Sequence, residues 1–221
     1  MNRAVVARLI LKDWYLSRWL LFLIVAGGSL SVGVLYFRGT PGIIGLITSL
    51  MTAIFLSVLL PLQTVVNERK NHNLAFVMSL PVSPMEYTAA KVLGNLSAFL
   101  VLWAVLTIAV LGTIVRSGPF GGLIPLGVIA ALSPFVTFCL LTCVAIVVES
   151  EAWAMLTMGV TNCAYSFWFL LFRIPGFSED LKSPVPIWSR PILLIVAGQI
   201  TVIVASLALT FYCQSRKRDF V

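Results

Sequence analysis

The chain has 221 residues, 60% of them apolar and 10% charged, with a mean hydropathy of +1.03, against about 45–50% apolar and about 25% charged in soluble domains. So little charge excludes a water-soluble globule, and so much apolar surface excludes a disordered chain, which leaves an integral membrane protein. The net charge of +7 does not mark a nucleic-acid binder, because no basic run exceeds the three residues Arg216, Lys217 and Arg218.

Residues 1–18 precede the first long apolar run and read as a retained, interfacial N-terminal helix rather than a cleaved signal. Arg8 and Lys12 share a face at i, i+4, with Trp14, Tyr15 and Trp19 at headgroup level. Uncharged runs then fall at 19–37, 39–67, 92–115, 117–148, 152–172 and 191–215, and a spanning helix needs about 20 residues. The expected fold is all-α, a polytopic membrane protein in one domain over 1–221. Its six transmembrane helices are expected near 19–37, 43–66, 92–115, 123–148, 153–172 and 191–212. The runs do not alternate as barrel strands would.

Local signals refine these limits. Thr40-Pro41 opens the second span, and Ser83-Pro84-Met85-Glu86 forms a capping box for the helix that enters the third. Pro61 and Pro134 fall inside spans, where each removes a backbone hydrogen bond and sets either a bend or a gating hinge. With six spans both termini share a side. That side holds Arg3, Arg8, Lys12, Arg18, Arg69, Lys70, Lys91, Arg216, Lys217 and Arg218, ten in all; the other holds Arg38, Arg116, Arg173, Lys182 and Arg190, five in all. Both termini are therefore expected in the cytoplasm, in a multi-pass protein of the plasma or inner cell membrane.

Reactive chemistry is sparse. The one histidine, His72, lies in a cytoplasmic loop, which argues against a Ser-His pair in the bilayer and against a His-rich metal site. Cys139 and Cys143 read as small packing residues. No phosphate-binding Gly-x-x-x-x-Gly-Lys loop is present, so no cofactor is expected on this chain. Acidic residues are missing from the spans, which argues against ion-driven transport. Glu68 and Glu149 border span ends, where solvated carboxylates normally stand. Gln63, Asn95, Asn162 and Gln199 are the neutral polar groups at depth. They serve either interhelical hydrogen bonds or a substrate pathway. The pairs Ser29/Gly33, Gly94/Ala98 and Gly127/Ala131 permit close helix approach.

The segment 67–91 is the most informative. A polar stretch, 67–73, meets the apolar heptad Leu74–Leu80, too short to span and too apolar for water, and Pro81 stops it. Leu74, Val77 and Met78 would share one helical face, beside Phe76 and Leu80. Such a helix can lie on the membrane, pack under its own bundle, or dock into a groove on a soluble partner.

The order Glu68-Arg69, Leu74, Met78-Ser79-Leu80-Pro81-Val82-Ser83, Glu86 and Lys91 closely resembles the loop after the second span in type-2 ABC transporter permeases, the exporter-type membrane subunits. Asn71 to Asn73 stand where that family usually has Gly-Thr. The resemblance implies a permease whose coupling helix, within 67–83, docks on a separate ABC ATPase (nucleotide-binding) subunit. Glu68, Arg69, Lys70, Leu74, Phe76, Val77, Met78, Ser79, Leu80 and Pro81 form that contact, and Glu149, Ser150 and Glu151 form a second. ATP and Mg would sit on the partner, and a second permease, identical or homologous, would face this one. A membrane anchor or sensor recruiting a soluble protein through the same loop is the alternative.

Overall fold

The computed structural model describes residues 3–37, 40–70, 84–116, 121–148, 150–167 and 183–216. No strand occurs among them. The helices are α1 (Arg3–Leu16), α2 (Arg18–Leu35), α3 (Thr40–Pro61), a π-helical turn (Leu62–Val66), α4 (Asn67–Lys70), α5 (Pro84–Arg116), α6 (Leu123–Val147), α7 (Glu151–Ser166) and α8 (Arg190–Arg216).

Five of these helical stretches are long and apolar enough to cross a bilayer: Arg18–Leu35, Thr40–Val66, Met85–Arg116, Leu123–Val147 and Arg190–Arg216. Most of their limits follow the uncharged runs within two residues, but Met85–Arg116 starts seven residues before its run and takes in Lys91, and Leu123–Val147 starts six residues into its run; α3 and α5 open at Thr40 and Pro84. The fifth expected span, 153–172, is described only to Phe167, and its helix α7 has 16 residues, about 24 Å at 1.5 Å per residue. That is short of the bilayer core of about 30 Å.

The side-chain bonds fix helix directions. Gln199 of α8 donates to the Ile129 carbonyl of α6 at 3.2 Å, and Gln214 donates to the Ile146 carbonyl at 3.1 Å. Both numbers rise together, so α6 and α8 run parallel and the chain must return between them, which it begins to do along α7.

Helix α6 is the centre of the bundle: 61% of its spanning window is buried, against at most 39% in the other four. The core there is aromatic. Phe99 and Phe138, both almost fully buried, stack at 4.4 Å with an 11° interplanar angle, and Phe135 and Trp103 close around them. Outward faces carry residues such as Leu30, Ile108 and Leu194, each more than 70% exposed, as lipid-facing helices require.

Pro134 sits inside α6, and the carbonyls around it are served from other helices. Trp103 Nε1 of α5 donates to Ala131 O at 2.7 Å, and Gln199 Nε2 of α8 serves Ile129 O. These two carbonyls flank Ala130 O, the one whose helical N–H partner Pro134 removes. Pro61 ends α3 differently: the chain widens at once into the π turn, with the Asn67 N–H reaching back five residues to Leu62 O.

The tightest helix approach lies at a contact not read from the sequence. A Cβ on Gly45 would lie 2.5 Å from Leu35 N, so α2 and α3 touch backbone to backbone there. Ser49 Oγ and Ser31 Oγ bond across the same contact at 3.2 Å. Of the pairs read from the sequence, Gly33 has open space around it, whereas a Cβ on Gly94 would lie 3.3 Å from Ile10 and one on Gly127 3.0 Å from Leu111, so these two do allow close packing.

Helix α1 docks on the start of α5. Val6, Leu9 and Ile10 pack with Tyr87 and Ala90, and Trp14 Nε1 donates to Gly94 O at 3.1 Å. Arg18 lies over the Tyr15 ring at 4.3 Å.

Candidate functional site

The face of α1 formed by Val6, Leu9 and Asp13 is buried, and Ser17 continues it just past the helix, at the spacing of one helical stripe. The stripe delivers a carboxylate, Asp13, against α5. There the Lys91 ammonium bonds both Asp13 oxygens, at 2.9 and 2.8 Å, and the Thr64 carbonyl of the π turn at 3.0 Å. It also contacts Glu68 Oε2 at 2.5 Å. Lys12 holds the other Glu68 oxygen at 2.6 Å, and the Tyr87 hydroxyl donates to Oε2 at 3.2 Å. One turn deeper, Asn95 Nδ2 donates to Thr64 Oγ1 at 2.7 Å.

Two carboxylates and two ammonium groups thus form a neutral cluster. Asp13, Glu68 and Lys91 are all under 10% exposed, and the cluster ties α1, the π turn, α4 and α5 together at one end of the bundle. Charges so buried are tolerable only with their partners in place.

The two carboxyls respond to burial oppositely. Burial pushes Asp13 above its ordinary 3.8; Lys91 pulls it down without cancelling the rise, and the Glu68 charge adds to it. Burial also pushes Glu68 up, but Lys91 and Lys12 together outweigh it and hold the group below its ordinary 4.5. Ionised Glu68 therefore stabilises the fold above pH 4.5, and that contribution is lost as pH falls through its folded value. Asp13 acts in the reverse sense, since the fold takes up its proton first and gains relative stability as pH falls toward 3.8. Melting curves of Asp13→Asn are expected to lose stability on acidification more steeply than the parent, and those of Glu68→Gln less steeply.

The structure moves several residues away from their sequence reading. Glu68, expected as a solvated helix end, is buried because two lysines neutralise it. Helix α4 opens the proposed coupling segment 67–83 and α5 follows it, and Arg69 and Lys70 lie within α4. Leu74, Phe76, Val77, Met78, Ser79, Leu80 and Pro81 lie outside the described residues, as does Glu149. Ser150 takes the N-cap position of α7 with extended backbone, its carbonyl accepting from Ala154 N–H at 3.2 Å, and Glu151 opens the helix on the surface.

Among the four neutral polar groups, Asn95 belongs to the charged cluster. Asn162 is exposed and donates to Met158 O of its own helix, and Gln63 is half-buried in the π turn. Gln199 bonds α6 and lines a chamber with Ser133, Thr137, Thr161 and Tyr165.

Sequence reasoning missed Asp13. Its signal was available: it is the one acidic residue before Glu68, and it falls on the apolar stripe of α1 rather than beside Arg8.

A family model described as ABC-2 family transporter protein matches residues 8–213. The chain belongs to the ABC-2 transporter family. No curated protein and no solved structure matched it. Membership makes this ABC-2 chain a membrane-embedded permease subunit of an ABC transporter, and the membrane subunits of the family normally partner with an ABC ATPase. The match runs from α1 into the end of α8, so the charged cluster and the chamber around Gln199 both lie within the matched residues.

Proposed function

We propose that this ABC-2 permease is the force-receiving half of an exporter with six crossings, both termini cytoplasmic, in the cell membrane. Segment 67–83 acts as the coupling helix on a separate ATPase, which binds ATP and Mg, while this chain carries no nucleotide site. A second permease subunit faces it across the transport pathway, and α7 with the residues after it supplies the sixth crossing.

The observation that carries this reading is the charged cluster. The segment 67–83 begins with α4 and leads into α5, and Glu68 and Lys91 clasp those two helices to each other and to α1. A push delivered between them is therefore shared by the N-terminal helix and by the ends of two spans instead of dissipating in a loose loop. The π turn after Pro61 adjoins this clasp, through the Thr64 carbonyl that Lys91 bonds, and π turns recur at functional sites.

Charging the apolar face with Leu74→Asp, Val77→Asp and Met78→Asp is expected to abolish co-purification of the ATPase while the permease still inserts and elutes as a folded particle. Undiminished ATPase capture by that folded triple variant would overturn the proposal.

A further inference from the structure

Two adjoining chambers lie in the half of the bundle away from the charged cluster. The larger, about 350 Å³, sits between the first half of α3, the second half of α5 and the first half of α6, and its wall is almost wholly apolar, with Leu46, Leu106 and Leu126 typical of it. Trp103 forms part of that wall, with its indole N–H fixed on Ala131 O. The smaller, about 300 Å³, lies between α6, α7 and α8 and is where hydroxyl and amide groups converge. Tyr165 belongs to both walls, and its hydroxyl pairs with Thr137 Oγ1 at 2.9 Å.

The chemistry of the walls is selective. Neither holds an Asp, Glu, Lys, Arg or His, so a charged group entering at this depth finds no counter-charge and is penalised. Neutral hydrogen-bonding groups do find partners. Gln199 uses its amide nitrogen on Ile129 O and Ser133 Oγ, which fixes the amide orientation, and its carbonyl oxygen is buried without a donor. The hydroxyls of Thr161 and Tyr165, which line the smaller chamber, are what a neutral polar head meets there. Pockets of this size that are mostly apolar with a few convergent polar groups are the usual form of small-molecule sites.

The geometry points to one binding site spanning both chambers for an uncharged amphiphile, with an alkyl body in the larger and a head bearing hydroxyl or amide groups in the smaller. Tyr165 stands at the junction and bonds the head. This names a substrate class for the permease and rests on the transport reading above.

The test uses the full chain in phosphatidylcholine nanodiscs and octyl glucoside with a photoreactive group at the end of its chain. The same octyl chain is also tested with a trimethylammonium or a sulfate head. Saturable labelling of α5 and α6 by the glucoside is expected, with both charged analogues weaker by roughly a hundredfold. Ala130→Phe, which fills the larger chamber, should abolish that labelling. Thr161→Val, whose hydroxyl otherwise bonds only its own helix, should weaken it by about threefold to tenfold.

Equal labelling by all three heads overturns the site, as does labelling confined to lipid-facing residues such as Leu194. A chamber held by phosphatidylcholine that excess glucoside does not displace overturns it too, because that head is charged. ATPase co-purification is scored on the same preparations. Lost labelling with the ATPase retained removes the binding site alone, and retained labelling without an ATPase removes the transport reading alone.

Discussion

Replacing Lys91 by Met is expected to destabilise the fold by about 3–5 kcal/mol, the usual cost of stranding a buried charge. The ammonium is only 3% exposed and is shared by Asp13, Glu68 and the Thr64 carbonyl. Removing it leaves two carboxylates close together with only the half-exposed Lys12 to answer them. In a chain of this size the apparent melting temperature should fall by about 6–20 °C, read by fluorescence size-exclusion after heating. The combination Lys91→Met, Asp13→Asn and Glu68→Gln should recover most of the loss, because neutral partners no longer demand the missing charge. A triple variant no more stable than Lys91→Met would show that the side chain acts through packing instead.

Phe99→Ala should cost a similar amount, about 3–5 kcal/mol, through the cavity it opens. Its ring is fully buried and meets Phe138, Phe135 and Trp103, so no neighbour can collapse into the space without breaking a stacked pair. Trp103 is further restrained by its bond to Ala131. Phe99→Leu keeps most of the volume and should lose less than about 1.5 kcal/mol. Thermal melting of the two variants in nanodiscs distinguishes them, and equal losses would place the effect in the aromatic contacts rather than in the cavity.

The bundle was largely legible in the amino-acid sequence because the bilayer imposes a length rule that charged residues punctuate. Arg18, Arg116 and Arg190 each stand at or near the helix limit found in the structure. Thr40 and Pro84 mark helix starts for reasons of local backbone chemistry. Helix α7 was harder, because a 16-residue described helix does not meet the length rule by itself and its direction follows only from the parallel pairing of α6 with α8.

The site was legible in part. Glu68 and Lys91 were singled out by resemblance, and the structure brings them into contact. Asp13 was not, since its role depends on α1 folding back over α5, a tertiary event that periodicity within α1 hints at but does not specify. The same limit applies to close helix contacts. Gly45 and Ser49 look no different in sequence from Ser29 and Gly33, where the glycine stands in open space, and only the packed backbones separate them.

Coupling through segment 67–83 requires the apolar residues 74–80 to be covered by an ATPase. A photoreactive amino acid at Met78, installed in cells, tests this directly, with one at the lipid-facing Val101 as the control. The account predicts a crosslink from position 78 to an ABC ATPase subunit and none from position 101. Crosslinks from position 78 only to lipid or to this chain's own helices would contradict it.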